Sequence, residues 1–151
     1  MGAVTYPDPR VKSLIDRAFV PVRLDVDADE AARRAFGSAR TPTVLVVDAD
    51  GREWRRHSGF LDADRLLAEL SLARLVEALE RQDYEAAGRR LGDARRWAEA
   101  DRELRAEALY HTAMAAYRNS EDPADLSAGW GRLLDEFPGS EWAERVAFLR
   151  E

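Results

Sequence analysis

The chain has 151 residues, 46% hydrophobic and 34% charged, with a formal net charge of −6 and no cysteine. That balance describes a folded chain with room for one substantial core or two small ones, and it argues against wrapping nucleic acid, which needs a basic surface. The absence of cysteine excludes disulfides, thiolate nucleophiles and thiolate-ligated zinc together.

The first predicted element is a helix opened by Pro7-Asp8-Pro9, with Asp8 as N-cap and Pro9 in the first turn. Val11, Leu14, Ile15, Ala18 and Phe19 follow at helical spacing. The period then changes to two: Val20, Val22, Leu24 and Val26 alternate with Pro21, Arg23, Asp25 and Asp27, which predicts a strand with one apolar face. A short helix is expected from Asp29 to Phe36, ended by Gly37. Thr43 to Val47 is a continuous β-branched apolar run and predicts a strand buried on both faces. Asp50-Gly51 marks a hairpin turn, and Arg52 to Ser58, charged at nearly every position around Trp54, reads as an edge strand guarded against pairing. A helix begins near Asp62 with Leu66, Leu67 and Leu70 on one face.

Beyond Ser71 the sequence carries only helical signals, broken near Gln82-Asp83, Ala100-Asp101, Asn119 to Pro123 and Pro138-Gly139. This places a boundary at about Leu72, within a helical stretch, and predicts two rigidly coupled domains, 1–72 and 73–151.

The order of the first half (helix, strand, short helix, Thr41-Pro42-Thr43, apolar strand, hairpin, charged strand, helix) resembles the thioredoxin family from its second helix onward. Phe19 to Asp27 is similar to the family's strand after the active-site helix, and Tyr6 to Val11 to the sequence that follows its CxxC. The resemblance covers residues 4–72. It implies an α/β thioredoxin-like fold, incomplete at about three strands, and a cis-proline at Pro42. It further implies that Thr41, Pro42 and Thr43 form a loop binding an extended substrate peptide by strand addition. The family's CxxC and the strand leading into it would precede Met1, so the expectation is a sheet lacking a central member. Either the natural product starts upstream, as the C-terminal portion of a thiol:disulfide oxidoreductase, or the remaining strands pair with each other or with a second copy.

Asp83-Tyr84-Glu85-Ala86-Ala87 with Leu91 and Ala94, and then Tyr110, Ala113, Met114, Tyr117, Trp130, Leu133 and Pro138, resemble tetratricopeptide repeats. The spacing departs from that family, so the second half reads as a degenerate, all-α repeat pair with Ser140 to Leu149 as a capping helix. Trp97, Tyr110, Tyr117, Trp130, Phe137 and Trp142 are expected in its core.

Other constellations fail on their residues. Asp25 to Phe36 begins like a calcium loop but has Glu30 in place of the glycine and Phe36 in place of the bidentate glutamate. His57 and His111 fall in different elements and predict no metal site. Asp48 and Asp50 fit turn chemistry, and Asp62 and Asp64 fit helix capping. Arg52, Arg55 and Arg56 beside His57 read as a solvated edge. The expected function is therefore a redox-inactive, chaperone-like module binding a protein or extended peptide, with a structural assembly adaptor as the alternative. No cofactor, nucleic acid or membrane is expected, a homodimer through the incomplete sheet is allowed for, and the compartment reads as cytoplasmic because no leader or spanning segment is legible.

Overall fold

The computed structural model describes residues 1–25, 28, 30–37, 40–99 and 101–150. Among them the order is α1 (Pro9–Ala18), α2 (Glu30–Ala35), β1 (Thr43–Val47), β2 (Glu53–Ser58), α3 (Ala63–Glu80), α4 (Tyr84–Ala98), α5 (Arg102–Ser120), α6 (Pro123–Glu136), α7 (Glu141–Glu144) and a 3₁₀ turn, Ala147–Arg150. A small α/β portion is thus followed by a helical one. The chain divides into two compact units, Met1–Leu67 and Ala68–Glu151, with the division inside α3.

In the first unit α1 starts as its sequence dictates. The Asp8 carboxylate accepts the Arg10 backbone N–H (2.8 Å), Pro9 opens the first turn, and Val11 and Leu14 are buried. The Arg10 side chain donates twice to the same carboxylate, and its Nη1 pairs with Asp64 at 2.7 Å. Thr5 is also buried and donates through Oγ1 to the Leu61 carbonyl at 2.6 Å, which anchors the N-terminal turns to the chain entering α3. Asp62 caps α3 by accepting the Arg65 N–H.

Among the described residues the sheet has two strands, not the expected three. β1 and β2 pair antiparallel with Thr43 opposite Ser58, Val44 opposite His57, Leu45 opposite Arg56 and Val46 opposite Arg55. Residues 20–25 lie outside any helix or strand, and Val20, Val22 and Leu24 are exposed. Val26, Asp27 and Asp29, which belonged to the expected strand and helix start, lie outside the described residues. The alternating pattern is present, but a strand exists only with a neighbour to take its backbone bonds, and among the described residues it has none. β1 is half-buried from Thr43 to Val46 and exposed at Val47 instead of closed on both faces, for the same reason.

In the second unit, Leu72, Leu75 and Ala78 of α3 pack with Ala87, Ala94 and Ala98 of α4 and with Leu104 and Ala108 of α5. The α3–α4 corner is a Schellman turn: the Gln82 N–H bonds the Leu79 carbonyl, the Asp83 N–H bonds the Ala78 carbonyl, and Gln82 takes the left-handed conformation (φ 59°). Asp83, Asp101 and Asp122 then cap α4, α5 and α6 with their side chains. A second cluster joins Ala106 of α5 to Leu133 and Leu134 of α6, Phe137, Ala143 and Val146. The expected capping helix is two short pieces. After one turn of α7 the Val146 N–H bonds the Ala143 carbonyl, and this tighter winding puts both side chains on one face and into the cluster.

α5 and α6 approach closely where Gly129 meets Ala113. A Cβ on Gly129 would overlap the Ala113 Cβ and lie 3.1 Å from its Cα. Gly129→Ala is expected to cost about 1–3 kcal/mol in thermal or denaturant unfolding. Ala113→Gly should restore part of that loss in the double variant, which a double-mutant cycle reads directly.

The Arg10 side chain bound to Asp8 holds that carboxyl down at about 2, with the backbone N–H of Arg10 as the next cause. A lowered carboxyl contributes stability above its unfolded value of 3.8, and the contribution is lost as pH falls through the folded value. The stability difference between wild type and Asp8→Asn should therefore be constant at neutral pH and shrink towards pH 2, measured by urea midpoints along a pH series.

Candidate functional site

Three features on the first unit converge at the hairpin. The turn is built on Asp48, the residue that follows β1. Its backbone N–H bonds the Arg52 carbonyl at 3.0 Å and its carbonyl accepts the Gly51 N–H at 3.0 Å. Its carboxylate Oδ1 accepts the backbone N–H groups of Asp50 (3.0 Å) and Arg52 (2.9 Å), while Oδ2 accepts the Trp54 indole N–H at 3.2 Å. Gly51 supplies the positive φ of 81° that the turn requires. Asp48 is thus a structural acceptor, as its turn position foretold.

Val46 faces Arg55 and Val47 faces Glu53, so Trp54 is the extra residue of a β-bulge. The bulge turns its indole to Asp48, and the Arg52 guanidinium lies over the ring at 4.2 Å. Arg56 makes a two-point pair with Glu53 (2.9 and 2.6 Å) and donates to the Phe36 carbonyl at 2.7 Å. The pairing with Glu53 raises its pKa further. Arg52 and Arg56 are therefore engaged with neighbours on their own unit.

The other edge of β1 is open. Pro42 sends its carbonyl to the Gly59 N–H (2.8 Å), and Asp48 sends its N–H to the Arg52 carbonyl. Backbone groups alternate sides along a strand, so Val44 and Val46, of the same parity, face β2. Thr43, Leu45 and Val47 then direct their N–H and C=O groups away from it, along an edge with no strand beside it among the described residues. Thr41, Pro42 and Thr43 stand at the head of this edge. The Thr41–Pro42 peptide is cis, Thr41 is exposed, and Pro42 and Thr43 are half-buried. The Thr43 hydroxyl donates to the Arg40 carbonyl at 2.6 Å and lies 3.2 Å from the Ser58 hydroxyl, which leaves its backbone groups to face outward.

The helical unit offers less to a ligand. Its cleft of about 90 Å³ between α4, α5 and α6, lined by Arg95, Arg105, Arg132 and Phe137, is far below the ~300–1,000 Å³ of ordinary small-molecule sites. Tyr110 stacks on Trp130 (centroids 5.3 Å, 16° between planes) and meets Trp142 at 5.0 Å, all packed half-buried against the second cluster. Tyr110, Trp130, Phe137 and Trp142 therefore serve the second cluster and Trp97 the first, while Tyr117 belongs to neither of these two clusters. Sequence reading missed Glu107, which is 3% exposed in mid-α5 with its carboxylate 3.8 Å from His111 Nε2 one turn on. The signal was there, since Glu107 shares the helix face of Leu104, Ala108 and His111. Among the described residues no three His, Asp or Glu side chains gather as metal ligands, and no helix is long and apolar enough to cross a membrane.

No protein-family model, curated protein or solved structure matches the chain.

The hairpin makes a checkable claim. Asp48→Ala removes three accepted hydrogen bonds and should loosen the turn by roughly 1–2 kcal/mol. Amide hydrogen exchange at Val46 and Arg52 should accelerate about 5–30-fold, with helix α5 unchanged.

Proposed function

We propose that the chain is a thioredoxin-like, redox-inactive protein-binding module that takes an extended segment of a partner polypeptide along the open edge of β1, with Thr41, Pro42 and Thr43 at the head of the track. The observation that carries this reading is the outward direction of the Thr43, Leu45 and Val47 backbone groups. Such an edge supplies three donors and three acceptors at the spacing of a second strand, and main-chain bonds give affinity with little demand on sequence. The half-buried apolar side chains of β1 favour alternating apolar residues in the partner. The helical unit, as a degenerate pair of repeats, adds a second surface for protein contact in this reading. No thiol chemistry belongs to it, because the chain contains no cysteine.

Isothermal titration against extended peptides with alternating Val and Thr tests the assignment. Binding is expected with a dissociation constant on the order of micromolar. Leu45→Pro deletes an outward N–H while sparing the bonds to β2, and it should weaken binding about tenfold or more, or ~1.4 kcal/mol. Val47→Pro, at the exposed end of β1, is the second variant should Leu45→Pro disturb the hairpin. Peptide heats equal in wild type and both variants would show that the β1 edge is not the site.

A further inference from the structure

The first unit holds a second orphan that matches the open edge. The chain leaves α1 at Phe19 in extended conformation (φ −138°, ψ 157°), and residues 20–24 then make no backbone–backbone hydrogen bond among the described residues. Val20, Val22 and Leu24 are 89%, 75% and 45% exposed, which is costly for side chains of a strand-forming pattern. We propose that residues 20–24 of a second copy of this chain occupy the open edge of β1, each copy lending its segment to the other in a twofold dimer. This rests on the reading that the β1 edge accepts an extended segment.

Parity supports the match. In a strand, Val20, Val22 and Leu24 put their side chains on one face and their backbone groups on one side, while Pro21 and Arg23 put theirs on the other. Pro21 has no N–H to donate, so it is compatible only with the outward side. The inward side is therefore that of Val20, Val22 and Leu24, three residues at alternate positions. They meet Thr43, Leu45 and Val47, three residues at alternate positions. Apart from Thr43 the paired residues are apolar, so pairing also covers the exposed valines.

Each copy carries one open edge and one unpaired segment, so reciprocal exchange satisfies both and leaves neither over. One-sided addition would leave an edge and a segment at the two ends and would propagate. Pro21 on the outer side then keeps a further strand from adding to the newly formed edge.

Size-exclusion chromatography with light scattering, run from about 1 to about 200 µM, reads the mass-action equilibrium. Wild type is expected to rise towards twice 17.0 kDa. Val22→Pro removes an inward N–H and should stay monomeric, with the dimer constant raised at least about tenfold; Arg23→Pro alters the outward side and should dimerise as wild type. Both substitutions fall outside helices and strands, and circular dichroism checks that the fold survives. Val22→Lys, which charges the apolar face without touching the backbone, should also give a monomer. The peptide titration on Val22→Pro separates the two readings, since its vacant edge should bind extended peptide more tightly than wild type does.

A wild type monomeric throughout, with peptide binding intact, overturns the dimer and leaves the peptide-binding module standing. So does a monomer whose Val22 amide is protected from exchange, which would mean that the segment returns to its own β1. A dimer indifferent to Val22→Pro and Val22→Lys also overturns the proposal. A monomer that binds no peptide overturns both readings.

Discussion

Backbone amides and carbonyls must find partners, and in the first unit that constraint falls on a single strand. β1 satisfies the groups of Val44 and Val46 through β2, with the Pro42 carbonyl and the Asp48 N–H bonded just beyond its two ends. Those of Thr43, Leu45 and Val47 face outward. Side-chain bonds hold the hairpin's shape with one neighbour: Asp48 ties the turn from inside, the indole of the bulged Trp54 bonds Asp48, and Arg56 pairs with Glu53 within β2 and bonds the Phe36 carbonyl just after α2. A hairpin alone is marginal in water, so these side-chain bonds do work that a third strand does in larger sheets.

The helical unit solves a different problem. Its helices are rich in alanine, which gives little area per residue, so density has to come from close approach. Gly129 against Ala113 brings α5 and α6 together, and alanines line the α3–α4–α5 cluster where leucines interleave with them. The aromatics then fill the wider space on the other side of α5. Caps rather than long loops direct the chain: Asp83, Asp101 and Asp122 start their helices within two or three residues of the preceding helix ends. Glu107 is buried in this unit, as are Glu69, Ser71 and Ser140, and its neighbour His111, half-buried one helical turn on, meets Trp142 at 5.2 Å.

What the sequence made legible was local. Asp8-Pro9, Asp50-Gly51, Gly37 and the run Thr43 to Val47 each carry their conformation in one to five neighbouring residues, and the structure has a helix start, a turn, a positive φ of 58° and a strand at those places. The failures were relational. Val20 to Leu24 has the correct alternation for a strand, yet period two describes only how a segment would sit in a sheet, and gives no information on whether a neighbour is there. The same gap hid Gly129, since a glycine in a helix looks like a weak point until the helix that crosses it is known. A missing neighbour for the run Thr43 to Val47 was expected from the order of elements, and β1 has a strand on one side alone among the described residues. Its parity, and hence which backbone groups are offered, needed the bonds of Pro42 and Asp48.

The indole of Trp54 has a further use. The chain has four tryptophans, at 54, 97, 130 and 142, and only the first belongs to Met1–Leu67. Replacing the other three by phenylalanine would leave one fluorophore on the hairpin, hydrogen-bonded to a carboxylate and covered by a guanidinium. Its emission would respond to anything that twists β2 or reshapes the turn. The first unit thus carries its own optical gauge, in the strand next to β1, and events at the edge can be followed in real time without a label.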